Sequence, residues 1–209
     1  MIDSGFGYFR NKKILIIGAH PDDIEFGLGA TLNQIKNENV RIIIFSDTVN
    51  LNGESIIDEV ANSMKIYNLP FTLKHDIVNL NFMNQEREIK QYLYDVKQEF
   101  KPDIIFSTSR KSYNPDHQIL GVSCLNVFQE QTVLFYEVVR GDYEHIPNLY
   151  NPVSQEDLDI KIKAIMQYIT QTKKRDYAKS SIIQSQCIFR GSQCGEDLAE
   201  AFEVGRIVL

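Results

Sequence analysis

The chain has 209 residues, of which 43% are hydrophobic, and this suits one large domain spanning 1–209 better than two small ones. Its formal net charge of −6 gives no electrostatic reason to expect nucleic acid or an anionic membrane as a partner. No apolar run approaches the roughly 20 residues that are needed to span a bilayer, and residues 1–13 lack the apolar core of a signal peptide. The three cysteines show no CxxC spacing. We therefore expect a reduced, cytoplasmic protein.

Four nearly unbroken apolar runs predict strands that are buried on both faces of a parallel sheet. They lie at 12–19, 40–47, 102–109 and 132–139. Apolar residues spaced three and four apart predict helices between and after these strands, at 24–38, 54–69, 86–100 and 117–130. The alternation of strand and helix favours right-handed βαβ units, and therefore an α/β fold with helices on both faces of the sheet.

The last third of the chain gives a weaker pattern. Residues 141–156 are polar and contain two prolines, which predicts a surface loop. A helix is predicted around Ile160, Ala164 and Tyr168. The closing segment EDLAEAFEVGRIVL (196–209) is interpreted as a short helix followed by an edge strand.

Polar side chains follow all four predicted strands. In open α/β sheets the ligand crevice lies outside the carboxyl ends of the strands, so these side chains are expected at one rim. In chain order they are His20, Asp22 and Asp23, then Asp47 and Thr48, then the segment SRKSYNPDHQ (109–118), then Glu137 and Arg140.

His20, Asp23 and His117 form a candidate metal site. Two imidazoles and one carboxylate are a normal ligand set for a catalytic Zn²⁺ that keeps a fourth position for water. The neighbouring Asp22 would then be free to act as the general base that takes a proton from that water.

Simpler readings of the same residues stay open at this stage. An aspartate before a helix is most often only an N-cap, and a lone HxxD motif is common. Asp116 and His117 could likewise be a capping aspartate and a surface histidine.

Other conspicuous residues are given structural roles. Gly27 and Gly29 lie inside the first predicted helix instead of directly after the strand, so they indicate close packing of that helix on the sheet and not a dinucleotide fingerprint. His75 and His145 are interpreted as surface residues. The cysteines are interpreted as core or incidental residues.

Three segments, AHPDDIEFGLGATL, PDIIFSTS…NPDHQ and LAEAFEVGRIVL, together resemble the LmbE/PIG-L family of zinc-dependent N-acetylglucosaminyl deacetylases. The resemblance runs in order from about residue 12 to the end of the chain. It implies a Rossmann-like three-layer α/β/α sandwich with a mostly parallel sheet. It also implies hydrolysis of the N-acetyl group of an amino sugar.

Carried over by position, the resemblance makes His20, Asp23 and His117 the metal ligands and Asp22 the general base. Many members have a histidine three residues before the last ligand that helps to stabilise the oxyanion. This chain has Asn114 there, which can donate a hydrogen bond but cannot carry a charge.

Three further residues are candidates for supporting or substrate-binding roles. The resemblance makes Asp116 a group that orients a neighbouring ligand. Asp47 is a candidate from its place at a strand end, and Arg190 could contact substrate or serve the structure. An arginine that many members carry early in the second helix has no counterpart in GESIIDEVA (53–61).

These observations favour a zinc-dependent N-deacetylase of an amino sugar or sugar conjugate, in surface-polysaccharide or glycoconjugate biosynthesis. Its partner would be a small-molecule substrate, and a homo-oligomer stays open. One alternative is a sugar-binding protein on the same fold that has lost turnover. The presence of Asn114 in place of a histidine favours this alternative. Another is a hydrolase of a different N-acyl group, such as N-formyl. A nucleotide-dependent sugar enzyme is disfavoured because the glycine fingerprint is missing.

Overall fold

In the computed structural model, which describes residues 5–36, 38–48, 55–173 and 175–208, seven strands form one sheet. The strands are β1 (Lys13–Gly18), β2 (Asn39–Ile44), β3 (Phe71–Leu73), β4 (Ile104–Ser107), β5 (Thr132–Tyr136), β6 (Leu149–Pro152) and β7 (Ala199–Arg206). Their order is β3-β2-β1-β4-β5-β7-β6. The pairs from β3 through β5 are parallel, and β7 pairs antiparallel with both β5 and β6.

Helices cover both faces of this sheet. They are α1 (Asp23–Ile35), α2 (Ile57–Tyr67), α3 (Glu86–Phe100), α4 (Pro115–Val127), α5 (Gln155–Ile165), α6 (Ile169–Thr172) and α7 (Ser180–Cys194). The predicted α/β/α sandwich with a mostly parallel sheet is confirmed. Residue 54, where the second predicted helix begins, lies outside the described residues. No helix in the described part of the chain is long and apolar enough to cross a membrane.

In strand β1, apolar residues do not alternate with polar ones, and the packing of the strand explains why. Ile14 and Ile16 face a core cluster that includes residues of α1 and α2. Leu15 and Ile17 point to the other face, where α3 and α4 pack. Because both faces of the strand are buried, every position from 14 to 17 is apolar.

The centre of the sheet is a topological switch point. From β1 the chain moves outward to β2 and β3 on one side, and then returns to lay down β4 and β5 on the other side. The connections after β1 and β4 therefore leave the sheet side by side and open a crevice between them.

The last third of the chain corrects two predictions. Residues 199–206 are one long strand that lies between β5 and β6, and not a helix with an edge strand. The predicted surface loop contains the actual edge strand β6. Helix α7 in this part of the chain was not predicted, and neither was the earlier strand β3. Residues 199–206 form a strand although they contain buried glutamates, because Glu200 pairs with the buried Lys161 and Glu203 pairs with the partly exposed Lys111.

Two smaller predictions have different outcomes. His145 was predicted at the surface, and this is wrong, because its ring is buried and burial lowers its pKa. A Cβ at Gly27 would overlap the ring of Tyr136 on β5, so this glycine does allow α1 to pack closely on the sheet. At Gly29 the close neighbours are Lys161 and Tyr67, on other helices.

Candidate metal centre

The three predicted ligands meet at the crevice between β1 and β4. His20 lies in the turn after β1, and Asp23 is the first residue of α1. His117 lies in the first turn of α4, which follows β4. All three side chains are buried, although His20 and His117 are 97 residues apart in the chain.

The donor atoms of these residues converge on one point. Nδ1 of His20 lies 3.1 Å from Nε2 of His117, which in turn lies 3.2 Å from an oxygen of Asp23. The other oxygen of Asp23, Oδ2, lies 3.5 Å from Nδ1 of His20. A tetrahedral ion with bonds of about 2.0–2.1 Å places its ligand atoms about 3.4 Å apart. The spacing and the donor types therefore fit one zinc-sized ion.

Asp116 fixes the orientation of His20. The carboxylate of Asp116 accepts a hydrogen bond from Nε2 of His20 at 3.1 Å and from the backbone N–H groups of Leu80 and Phe82. In the neutral ring with its one proton on Nε2, which a bound cation would favour, Nδ1 of His20 is the nitrogen directed toward Asp23 and His117. This is how a carboxylate outside the ligand set commonly orients a metal-binding histidine.

The surroundings favour positive charge at the crevice. Burial alone would lower the pKa of His20, but its hydrogen bonds to Asp116 and Asp23 raise that pKa to about 10. Burial likewise opposes ionisation of Asp23, yet the charge and hydrogen bond of His117 hold its pKa below the usual range. A site with these preferences suits a bound cation.

The carboxyl of Asp22 belongs neither to the group of three metal donors nor to a cap of helix α1. Its backbone is left-handed, with φ 85° and ψ −24°, and among the described residues its side chain makes no capping hydrogen bond. Burial and the negative charges of Asp23 and Glu25 raise the pKa of its carboxyl well above the usual range. The simple N-cap reading therefore does not describe Asp22.

Asn114 has a clear structural role. Its side-chain oxygen accepts a hydrogen bond of 3.0 Å from the backbone N–H of Asp116, so it is the N-cap of α4. Pro115 follows at the first helical position, as is common at helix starts. The amide NH₂ group of Asn114 is left for other partners, and the residue lines the cavity described next.

A cavity of about 580 Å³ opens in front of these residues. This is within the range of small-molecule sites. His20, Asp22, Asp23, Asn114 and His117 all line it. The other lining residues come from helices α1, α4 and α6, from loops and from the segment after α6: Pro21, Phe26, Thr48, Asn79, Leu80, Tyr113, Pro115, Val138, Arg140, Gly141, Tyr143, Gln171, Arg175 and Tyr177.

None of the three predicted supporting residues is in the described lining of this cavity, and of the three only Asp116 contacts a metal ligand. The guanidinium of Arg190 makes two hydrogen bonds to the carboxylate of Glu137, at 2.9 and 2.6 Å. Asp47 lies 3.8 Å from the ring of His75, while its neighbour Thr48 is the residue that reaches the cavity.

Several lining residues were missed by sequence reasoning. Gln171, Arg175 and Tyr177 come from a connection that follows no strand of the sheet, so the strand-end rule gives no signal for them. Asp142, which lies between the lining residues Gly141 and Tyr143 but is not itself in the lining, was also missed. One of its oxygens accepts the backbone N–H of Val138, and burial raises its pKa to about 6.

Comparisons with known proteins show the family and the fold of the chain. The family model described as PIG-L, GlcNAc-PI de-N-acetylase, matches residues 15–128, a range that contains all five predicted metal and catalytic residues. The chain is also 28% identical to a protein named "Uncharacterized deacetylase YaiS" from Escherichia coli (strain K12), over 76% of this chain and 91% of that one.

Solved structures share the fold. N,N'-diacetylchitobiose deacetylase from Pyrococcus horikoshii superposes with a TM-score of 0.77 at 18% identity, over 97% of this chain and 87% of that one. The A40926 pseudoaglycone deacetylase Dbv21 gives a TM-score of 0.75 at 14% identity, over 95% and 99% of the two chains. At these identities the likeness concerns the fold alone.

Proposed function

Because the chain belongs to the PIG-L family of GlcNAc-PI de-N-acetylases, we propose that it is a zinc-dependent hydrolase that removes the N-acetyl group from an amino sugar or sugar conjugate. The observation that carries this proposal is the pairing of Asp22 with the donor set. A free carboxylate lies beside three converging metal donors, in a cavity large enough for a sugar.

The three donor residues support the proposal of a bound metal ion. His20, Asp23 and His117 would hold a Zn²⁺ ion, with Asp116 orienting His20. A bound divalent ion supplies Lewis-acid polarisation of the acyl carbonyl and lowers the pKa of water. Asp22 makes no capping hydrogen bond among the described residues, and a protein that only binds sugar does not need such a carboxylate beside its metal.

Asp22 moves the proton in this proposal. Its carboxylate takes a proton from the water as the water oxygen bonds to the acyl carbon, and returns that proton to the amine nitrogen as the C–N bond breaks. The products are acetate and the free amino sugar. The raised pKa of Asp22 brings its proton affinity closer to that of a base working near neutral pH.

Asn114 is the proposed donor to the oxyanion. Its side-chain oxygen caps α4, which leaves the amide nitrogen as the donor of a residue that lines the cavity. One neutral N–H donor can stabilise the oxygen of a tetrahedral intermediate without supplying a proton. Asp22 then serves as both base and acid.

Metal analysis together with a substrate panel tests the proposal. Purified protein should contain about one equivalent of zinc and release acetate from at least one N-acetylated sugar, nucleotide sugar or sugar lipid. His20→Ala should lose the metal while remaining folded by circular dichroism. Retention of one equivalent of zinc by this variant would show that the ligand assignment is wrong.

The capping role of Asn114 favours one second candidate, a sugar-binding protein without turnover. The cap alone explains why an asparagine occupies this position. The same panel decides between the two. Zinc binding and sugar binding without acetate release favour the binding protein. Formate release from N-formylated sugars, with no acetate release, favours a different acyl group.

A further inference from the structure

Helix α7 presents an uncharged face to the solvent. Only one of its 15 residues is charged, and that residue, Arg190, is buried and paired with Glu137. Helix α3 has the same length and contains seven charged residues. Three large apolar side chains on the outer face of α7, those of Ile182, Ile188 and Phe189, are 40%, 48% and 57% exposed. Exposed apolar side chains on a helix face without charges are typical of the centre of a protein–protein interface.

One exposed stripe runs along this face, and we call it the α7 stripe. It consists of Ile182, Ser185, Phe189 and Ser192. Their spacing of three, four and three residues is that of the a and d positions of a coiled coil, so they lie on one side of the helix. The hydroxyls of the two serines already donate hydrogen bonds of 2.7 Å to the backbone carbonyls of Ser181 and Phe189. A partner can therefore cover the serines without leaving a hydroxyl proton unpaired.

The α7 stripe is complementary to itself when two copies of the helix run antiparallel. Large and small side chains alternate along the stripe. A two-fold axis at the level of Cys187 places position 182 opposite position 192 of the other copy, and position 185 opposite position 189. Each large side chain then lies opposite a serine, as a knob facing a hole. In a parallel pair each serine would lie opposite a serine, which leaves gaps that a close-packed interface does not contain.

The charges that flank α7 favour the same arrangement. Lys179 precedes the helix and pairs with the exposed Asp176 of its own chain, and the exposed Glu196 and Asp197 follow the helix. An antiparallel pair brings Lys179 of one copy beside Glu196 and Asp197 of the other at both ends, whereas a parallel pair brings like charges together. Because the chain has a net charge of −6, two copies repel each other least where the contact is uncharged at its centre.

We propose that α7 is the contact surface for a second copy of this chain, and that the two α7 helices pack antiparallel about a two-fold axis. Phe189 is the anchor of this contact. The guanidinium of Arg190 lies 5.1 Å from the centre of its ring, and two hydrogen bonds to Glu137 fix that guanidinium, so the ring is held in place before a partner binds. One helix pair buries less than the about 1,600 Å² of a standard interface, so we expect a dissociation constant of about 1–100 μM.

Sedimentation velocity with the full chain, at concentrations on both sides of this range, tests the contact. Wild type should change from monomer to dimer as the concentration rises. Phe189→Glu should raise the dissociation constant by about 100-fold or more, because it puts a charge at the centre of the uncharged face. The matched control is Tyr94→Glu on α3, which changes an aromatic residue that is 45% exposed and should leave the constant unchanged. A wild type that stays monomeric throughout, or a folded Phe189→Glu variant that dimerises like wild type, would overturn the proposal.

Disulfide trapping tests the direction of the pair. The exposed Cys194 is first replaced by serine, since the other two cysteines are buried. In this background the double variant Ile182→Cys, Ser192→Cys should form a covalent dimer under mild oxidation, because the antiparallel pair brings these two positions together twice. Each single variant should stay monomeric on a non-reducing gel, because the two copies of position 182 are then about 15 Å apart along the helix axis. A covalent dimer of either single variant, or none of the double variant, would overturn the antiparallel arrangement.

Discussion

Asp22 illustrates how a single backbone conformation separates two adjacent carboxylates. A left-handed conformation at a residue other than glycine costs about 1–3 kcal/mol and persists only where the surrounding fold imposes it. Here it turns Asp22 away from the N–H groups of α1, while Asp23 accepts the backbone N–H of His20 at 2.9 Å. The two neighbours consequently face different partners.

The role of Asp22 is tested by Asp22→Asn. Asparagine tolerates the left-handed conformation better than other replacements, so the fold and metal content should be kept. Turnover should fall by about 10²- to 10⁴-fold, because an amide cannot accept the proton from water. The measurements are kcat and zinc content, with Asp23→Asn as the paired variant that should lose metal. Equal metal loss in both variants would contradict separate roles.

The two jobs assigned to Asn114 can be separated by Asn114→Ser and Asn114→Ala. Serine caps a helix about as well as asparagine but lacks the amide N–H donors, whereas alanine lacks both functions. Both variants should lose about 10²- to 10³-fold in kcat with little change in KM. Only alanine should lose about 1 kcal/mol in the free energy of unfolding. Wild-type turnover in Asn114→Ser would remove the residue from the mechanism.

Helix α1 contains one residue with non-helical backbone angles. A carboxylate from a distant strand accepts hydrogen bonds from backbone N–H groups that follow this residue. Leu28 has non-helical angles, with φ −147° and ψ 25°. The backbone N–H groups of Ala30 and Thr31 then donate to the two oxygens of Glu200 on β7. The buried Lys161 donates to the same carboxylate at 2.6 Å. Glu200 thus ties the second half of α1 to the sheet and to α5.

Replacement of Glu200 should therefore be costly. Glu200→Gln leaves the buried ammonium of Lys161 without its counter-charge and should cost about 3–5 kcal/mol in urea unfolding. Glu203→Gln on the same strand is the control. Its partners Arg110 and Lys111 are more than a third exposed, so its loss should be nearer 1 kcal/mol. Equal losses of unfolding free energy in the two variants would contradict a special contribution from the buried pair of Glu200 and Lys161.

The link between α7 and the end of β5 predicts a pH dependence. Burial opposes ionisation of Glu137, but the two hydrogen bonds from Arg190 lower its pKa below the usual value of 4.5. Since the pKa is lower in the folded state, the pair stabilises the protein above about pH 4.5. That contribution disappears as the pH falls through the lowered value.

The comparison of wild type with Glu137→Gln checks this. The difference in unfolding free energy should be about 3 kcal/mol at pH 7, because Arg190 is left buried and unpaired. It should shrink between pH 4.5 and pH 3. A difference that is constant over this range would mean that the carboxylate charge contributes nothing.

At the scale of the whole molecule, the parallel half of the sheet could be predicted and the antiparallel half could not. Strands β1, β2, β4 and β5 are apolar because both of their faces are covered, and such runs are visible in the sequence. Strand β7 contains Glu200 and Glu203, whose burial depends on Lys161, Arg110 and other distant partners. A pattern of neighbouring residues contains no information about those partners.

The same difference applies to the cavity. The residues after β1 and β4 were brought together as predicted, because the topology of a parallel sheet places consecutive strand ends on one side. Arg175 and Tyr177 arrive from outside the sheet and had no local signal. The resemblance to the PIG-L family is confirmed by the family match, and the roles of the individual residues stay predictions.

Metal binding should stabilise the whole fold, because the donors join the turn after β1 to the start of α4. An ion that binds only the native state adds about 2.7 kcal/mol at a hundred times its Kd. Zinc should then raise the Tm of wild type and of Asp22→Asn by about 5–10 °C, and a chelator should reverse this. His20→Ala should not respond. A response as large as that of wild type would place the ion elsewhere.

The contact between Ala30 and Glu200 spans 170 residues, and it has a consequence for how the chain reaches its native state. Ribosomal synthesis delivers α1 early and β7 only near the end of residues 1–209. Until β7 inserts between β5 and β6, the ammonium of Lys161 and the freed amides of α1 lack their acceptor. Pairings of such high sequence separation form slowly. We therefore expect nascent chains that lack residues 199–206 to bind metal weakly at this site. We also expect them to depend on chaperones until strand β7 has left the ribosome.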